Sequence, residues 1–546
     1  VVGSNDKVMT RSWMSFDKAL FIRWRLLPAL LIVAVFAIIG AASLAALLFY
    51  GESSSWAEYL SNTYLWRIVR FSLWQAFLSS IISIGFAVPI ASALMHRQFF
   101  GRDALFQLFA VSMVVPSIVA ILGIVVVYGR AGWISRWTGI DVPLYGLLGI
   151  LLAHIFFNLP LAVRLLVQAY SLIPQGQWRL AYQLGFSRWY AFKYIEWHYV
   201  RKALPGAFVL IFMLCFSSFA VVLSLGGGPR SSTLEVAIYQ ALRFEFDVSK
   251  ASVLSLLQVV ICSLVAVLVY RFSLPVKQDG SVLKLTVYDL KDTVWNKVID
   301  FVVIVLALLL ILPPFLAILE PVLSVVFWQT LKDLKMWMAV WVSLKIALPA
   351  AILSLILGLG FVFVARYARL KPSLNWLASM VEHLGSSILM VPGLVIATGL
   401  FLIFRQLGWG FEHGYWIVVW VNSMMALPFV LRALTPIFYQ QEKRYQLLYS
   451  SLGIWGVSRF KLEWPLVRGS VAQAFGYATL LCLGDMGVIA LFGSSGLLSL
   501  PLYLFQLIGS YRLEQGASVA VVLMALCVAL FILSTRLIGG KQSVKN

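Results

Sequence analysis

The residues able to do chemistry are few and scattered. The 546 residues include 22 Asp and Glu, 5 His and 4 Cys. Cys215, Cys262, Cys482 and Cys527 each lie in an apolar run, and no pair has the spacing of a zinc or redox site, so buried reduced thiols are expected. His154 and His198 have no second ligand at a suitable spacing, which favours packing or interfacial roles over metal binding. Asp485 stands alone in an apolar run, toward its outer end. A carboxylate in hydrocarbon is a functional candidate by default. It could face a translocation path and favour a cation, with Ser218 as its unlike counterpart. It could also cap a neighbouring helix through Gly484 or Gly487, and the capping reading carries more weight. Pro116 and Pro392 are the other path candidates. Each has a Gly seven residues on, Gly123 and Gly399, so matched kinks near the path are expected. No set of nucleophile, base and acid is spaced for catalysis. No G-x-x-x-x-G-K-[ST] stretch could cradle a nucleotide phosphate. The chain is expected to have no catalytic residue and no metal.

The elements that hold these residues are membrane helices. The sequence is 61% hydrophobic and only 12% charged, and apolar runs of about 20 residues recur, the length that crosses a bilayer as helix. Barrel strands would be shorter and would alternate. The pattern predicts an all-α polytopic fold with about twelve spans, near 27–50, 71–95, 104–128, 144–170, 204–225, 248–270, 298–319, 338–365, 378–404, 415–438, 471–493 and 516–536. The net charge of +20 does not argue for nucleic acid, because the basic residues sit in short loops between spans, next to lipid. With the N-terminus in the cytoplasm, most of the 42 Lys and Arg fall on the inner side, among them Lys7, Arg97, Arg102, Arg201, Lys202 and Arg366. That is the positive-inside pattern, and it places both termini in the cytoplasm.

The two halves repeat one another. Val115-Pro116 matches Val391-Pro392, Asn158-Leu159-Pro160 matches Ala426-Leu427-Pro428, and Gly185 matches Gly453. Leu225 to Gly228 matches Phe492 to Gly496, and Tyr239-Gln240 matches Phe505-Gln506. All five landmarks keep their order, so the unit is duplicated in parallel about an axis along the membrane normal. The expected division is a cytoplasmic segment 1–26, a first span and outer loop 27–63, a first unit 64–271, a linker 272–297, a seventh span and outer loop 298–337, a second unit 338–536 and a tail 537–546. The glycine-rich turns at Gly226–Gly228 and Gly493–Gly496 fall outside. They either touch a partner or precede short re-entrant helices.

Within each unit one long inner loop stands out, at 171–202 and at 439–470. Gly185 and Gly453 can each end a helix and allow a sharp turn. The loop residues singled out are Ala181, Leu184, Gly185, Arg188 and Glu196 in the first copy, and Ser451, Leu452, Gly453, Arg459 and Glu463 in the second. One such hairpin could be a mere interfacial anchor. Two matched copies favour docking into a partner groove.

These loops resemble the Glu-Ala-Ala motif of ABC importer permeases, in which a Gly follows the triplet and Ile-x-Leu-Pro comes later. Here Arg179-Leu180-Ala181 and Leu447-Leu448-Tyr449 stand where the triplet would be. His198 replaces the first Pro, and Pro465 comes one residue early. The stretches Tyr64 to Leu78, His154 to Pro160, Leu223 to Pro229, Ile238 to Ala241, Gly484 to Gly487 and Gly509 to Arg512 are similar to the fused two-domain permeases of thiamine and thiamine pyrophosphate importers, over roughly residues 60 to 535. The resemblance implies that a periplasmic binding protein delivers the substrate. It implies two copies of a separate ATP-binding cassette subunit, which hold the ATP and magnesium, and no cofactor bound by this chain. It places the chain in a bacterial inner membrane. Ferric-iron importers share this architecture. An ion-coupled secondary transporter is the rival from another class, although such proteins commonly bury several ionisable groups.

Overall fold

The computed structural model describes residues 5–49, 56–113, 115–272, 292–369, 372–388, 391–409, 413–454, 456–493 and 497–539. The expected linker therefore lies largely outside the described residues, as do Ser494–Gly496 and the basic tail from 540 onward. Every regular element among the described residues is helical. In chain order the first half contains α1 (Asn5–Phe49), α2 (Thr63–His96), α3 (Arg102–Ser112), α4 (Ser117–Tyr128), α5 (Leu147–Ser171), α6 (Gln175–Gln183), α7 (Trp197–Phe216), α8 (Phe219–Leu225), α9 (Leu234–Arg243) and α10 (Val248–Phe272). The second half contains α11 (Val294–Leu319), α12 (Leu334–Arg369), α13 (Asn375–Ser387), α14 (Gly393–Gln406), α15 (Gly414–Ser451), α16 (Gly456–Gly484), α17 (Gly487–Phe492), α18 (Leu500–Gly509) and α19 (Leu513–Leu537).

Eleven helices among the described residues are long and apolar enough to cross a membrane. The twelfth expected span, 378–404, is divided between α13 and α14. Its match, 104–128, is divided between α3 and α4. Pro116 and Pro392 do not kink continuous helices, contrary to expectation. Each stands in an extended conformation (φ −53°, ψ 135° and φ −58°, ψ 142°) and restarts the chain as the cap of the next helix. The cause is steric, because proline disfavours helical backbone in the residue before it. The spans expected at 204–225 and 471–493 also break, after Phe216 and after Gly484.

The leading helix of each half packs on the other half. α1 lies against α12 and α14, and α11 lies against α2 and α4. The matched glycines make this crossing possible. A Cβ on Gly123 would run into the Pro314 carbonyl of α11, and a Cβ on Gly399 into the Ser43 carbonyl of α1. Small residues let helix backbones approach closely in membranes. The repeat extends to single hydrogen bonds. Ser72 Oγ on α2 accepts the Leu234 N–H at the start of α9 (3.0 Å), and Ser343 Oγ on α12 accepts the Leu500 N–H at the start of α18 (2.7 Å). All four cysteines are buried and free.

Candidate coupling and translocation sites

The first inner loop folds because Pro174 stops α5 and starts α6. Trp178 and Ala181 are the buried residues of α6, while Leu180, Tyr182 and Leu184 are exposed. Gly185 then takes φ +65°, and the Phe186 N–H reaches the Ala181 carbonyl (2.9 Å) while the Gly185 N–H reaches Tyr182 (3.0 Å). This pair of bonds is a Schellman stop, which needs a left-handed residue and so selects glycine. The second copy ends the same way. Gly453 has φ +64°, and the Ile454 N–H bonds the Tyr449 carbonyl (2.9 Å). The approach differs, however. α15 runs unbroken for 38 residues to Ser451, because strong helix formers follow Pro436 and no later proline interrupts them. The stretch 439–470 is thus two helices and a tight turn rather than a long loop. Ser451 and Leu452 are exposed at that turn.

Behind each turn sits a buried glutamate. Glu196 is fully buried, its Oε1 2.7 Å from His96 Nε2 at the end of α2. Glu463 is 1% exposed and takes a two-pronged contact from Arg366 on α12, Nη1 to Oε2 at 2.8 Å and Nη2 to Oε1 at 2.6 Å. Arg366 Nε also donates to Glu442, and Arg459 binds both acids, 2.9 Å to Glu463 and 2.6 Å to Glu442. Two arginines and two glutamates thus close a buried network. Arg188 makes a different contact. It donates to Asp300 on α11 and to Ser92 Oγ (3.3 Å), and Asp300 also accepts from Arg97 Nε at 2.6 Å. Arg97 pairs with Asp292 as well. Burial raises the Asp292 carboxyl pKa, but hydrogen bonds from Arg97 and Asn296 outweigh it and hold the group below the usual carboxylate range.

The two copies differ in length by one residue between Gly and Glu, eleven positions from Gly185 to Glu196 and ten from Gly453 to Glu463. The structure absorbs the extra residue in a π turn, Phe192–Glu196, where the Trp197 N–H bonds the Phe192 carbonyl. A π turn inserts one residue without ending the helix, so both glutamates reach the same place.

Of the path candidates, Asp485 lies in the break between α16 and α17. Its Oδ1 accepts the Gly487 N–H at 3.3 Å, and the Asn422 side chain is also within bonding reach. Ser218 stands at the start of α8 in the matching break, without a capping bond from its side chain. The breaks meet across the two halves, since a Cβ on Gly487 would lie 3.6 Å from Phe219, and one on Gly484 would lie 3.2 Å from Pro116. Pro116 and Asp485 are therefore brought to one place. Pro392 begins the matched helix, whose first residue Gly393 faces Val488 of α17, since a Cβ there would lie 3.5 Å from it.

Sequence reasoning passed over His96, Glu442, Asp300 and Glu235. His96 and Arg366 sit 270 residues apart, an offset inside the range of the other landmarks. That offset was the available signal. Glu235, 3% exposed, lies in a ten-residue helix too short to register as a span.

Comparison with known proteins supplies the family. The sequence pattern described as "binding-protein-dependent transport system inner membrane component" matches residues 83–276, within the first half. The chain is 42% identical over 520 residues to the thiamine transport system permease protein of Salmonella typhimurium, covering 94% of this chain and 97% of that one. It is 37% identical over 513 residues to the Haemophilus influenzae protein of the same name, covering 89% and 93%. A probable sulfate transport system permease of Chlorella vulgaris is 27% identical over 205 residues, covering 37% of this chain and 76% of that one. The exposed apolar turns backed by buried acids, the paired halves and these likenesses agree, and the chain belongs to the family of thiamine transport system permease proteins, multi-pass components of the bacterial inner membrane.

Proposed function

We propose that this chain is the membrane permease of an ATP-driven importer that receives thiamine or its phosphates from a periplasmic binding protein and releases them into the cytoplasm. Beside the 42% identity over 94% of the chain, one observation carries the reading. The two matched turns present exposed Leu180, Tyr182 and Leu184 in one copy, and Leu447, Leu448 and Leu452 in the other. Exposed apolar side chains grouped on a polar face suit a protein partner. Two turns suit two ATPase copies, one each, with ATP and magnesium held by that partner. Hydrolysis there pulls on both turns, and the halves rock between outward-open and inward-open arrangements. Both termini lie in the cytoplasm on this reading, since the excess of Lys and Arg faces inward.

Reconstitution into liposomes with and without the ATPase subunit and binding protein tests the proposal. Thiamine uptake that needs both partners and ATP is the expected result. Uptake driven by an ion gradient without ATP overturns the ATP-driven mechanism. Uptake of ferric iron instead of thiamine overturns the substrate.

A further inference from the structure

Two carboxylates from opposite halves, Glu235 and Asp485, lie in the interior, and among the described residues no ion pair neutralises either. Glu235, in the first turn of α9, is 3% exposed. Gln258 of α10, fully buried, donates through Nε2 to Glu235 Oε1 at 3.2 Å. α9 packs on α17, which begins two residues after Asp485, and Tyr239, one turn on from Glu235, reaches the Phe219 ring beside Gly487. Among the described residues neither carboxylate forms an ion pair with any Arg, Lys or His. The nearest arginine of α9, Arg243, is turned to the Gly493 carbonyl at 2.6 Å.

The surroundings are polar and unsatisfied. Asp485 Oδ2 and Gln258 Oε1, the latter on the side chain that holds Glu235, are shielded and have no hydrogen-bond partner. Buried polar atoms are nearly always paired, so spare acceptors on and beside these acids suit a donor or a cation. That chemistry can be narrowed. No group of three His, Cys, Asp or Glu side chains among the described residues could hold a metal ion. Rings stand beside the acids instead. Phe219 abuts Gly487, and Tyr239 packs edge-on to Phe219 at 5.3 Å between ring centroids. Carboxylates beside aromatic faces suit a flat organic cation, through charge and through the ring quadrupole.

We propose that Glu235 and Asp485 form a two-carboxylate seat, at the contact between the halves, for the organic cation in transit. The proposal rests on the thiamine reading above, since the thiazolium ring of thiamine carries a permanent positive charge. Each half supplies one acid, so the seat is complete only while the halves are together and is divided when they rock apart. Asp485 has Ser218 at its matched position, and Glu235 has Pro501. The seat is therefore a feature of the pair and not of either repeat.

The test uses the full reconstituted importer with saturating thiamine-loaded binding protein, and reads thiamine imported per ATP hydrolysed. Glu235→Gln and Asp485→Asn keep shape and lose charge, and each should lower that ratio about tenfold. Asp485→Glu keeps the charge and should stay within about threefold of the parent. Asp485→Ser, which copies the first half, should match Asp485→Asn. A purely structural role predicts the opposite order, with the isosteric variants tolerated and the longer Glu harmful. That order overturns the seat, as does an unchanged ratio in the uncharged variants while the parent imports thiamine. A parent that imports no thiamine overturns the underlying function and the seat with it. A variant that assembles poorly lowers uptake and hydrolysis together and leaves the ratio readable.

Discussion

The two halves place a buried glutamate behind the same glycine turn and hold it by different chemistry. In the first half Glu196 meets the His96 imidazole, and the nearby Arg188 reaches across to Asp300 on the leading helix of the other half. In the second half Glu463 and Glu442 are closed by Arg366 and Arg459, all within that half. The backbone position is conserved between the repeats, and the interaction is not. The second turn is locked into its own bundle, so it moves with α12, α15 and α16 as a unit. The first turn is tied to α11, so any shift of the first half against α11 strains the Arg188–Asp300 contact.

The polar content of the helices behind the turns is divided the other way. On α2, Ser72, Gln75, Ser79, Ser80 and Ser83 form a buried stripe, and Ser79 Oγ lies 2.9 Å from His154 Nδ1. The matching face of α12 keeps Ser343 and Ser354 but places Ile346, Ala350 and Ala351 between them. The second half therefore keeps its buried polarity mostly at its turn, whereas the first also spreads neutral polar groups through its core.

The sharpest way to break this comparison is to remove the shared cation of the second half. Arg366→Met leaves two buried carboxylates with Arg459 alone. Stranding a buried charge typically costs about 3–5 kcal/mol, and Arg459 should hold the loss near the lower figure. The matched change, His96→Phe, takes one hydrogen bond from a single buried acid, a cost of about 1–3 kcal/mol or somewhat more, against two acids that lose a shared cation in the other variant. Thermal unfolding of the purified complex should therefore show a clearly larger drop for Arg366→Met. Equal drops would mean that the two anchors are equivalent despite their chemistry.

The turns come next in size. A Cβ on Gly453 would meet nothing within 4 Å, so a side chain there costs only backbone strain, about 1–2 kcal/mol per left-handed residue, and more for a β-branched one. Gly185→Val together with Gly453→Val should leave the chain folded and let ATP hydrolysis continue while uptake falls. Surviving transport in the double variant would make the turns anchors and remove their coupling role. Applied singly, the substitutions rank the two turns. The second, locked by four charged groups, should tolerate its substitution better than the first.

These glycines were legible in the sequence because a left-handed helix stop demands that residue type. The spans and the duplication were legible because hydropathy and spacing survive divergence. What lay hidden was tertiary. The membrane-crossing stretches of α1, Leu27–Phe49, and of α11 beyond Asp300 are continuously apolar, so nothing in their composition says which half they cover. Pro116 and Pro392 fit a kink as well as a restart, and only the backbone distinguishes the two. Arg366 read as one more basic residue at a helix end, although its 5% exposure marks an internal partner. Glu235 sat in a segment read as outside the membrane, so its burial beside Asp485 left no trace in the pattern.

The smallest expected effect tests the equivalence of the two glutamates most directly. The π turn at Phe192–Glu196 is the only difference in length between Gly185–Glu196 and Gly453–Glu463. Tyr194 is 60% exposed within it. Deleting Tyr194 lets the turn relax to an ordinary α-helix and gives the first half the ten-residue spacing of the second. Glu196 then stays beside His96, and stability should change by no more than about 0.5 kcal/mol, the usual range for a surface change. The same deletion at Leu462, also exposed, has no spare residue to absorb it. It would turn Glu463 by about 100° around its helix and away from Arg366. Unfolding temperatures of the two deletion variants decide the matter. A mild first deletion and a damaging second one fit a π turn that only adjusts register. Equal damage would show that Glu196 and Glu463 do not occupy matched positions, and that the extra residue serves the first turn itself.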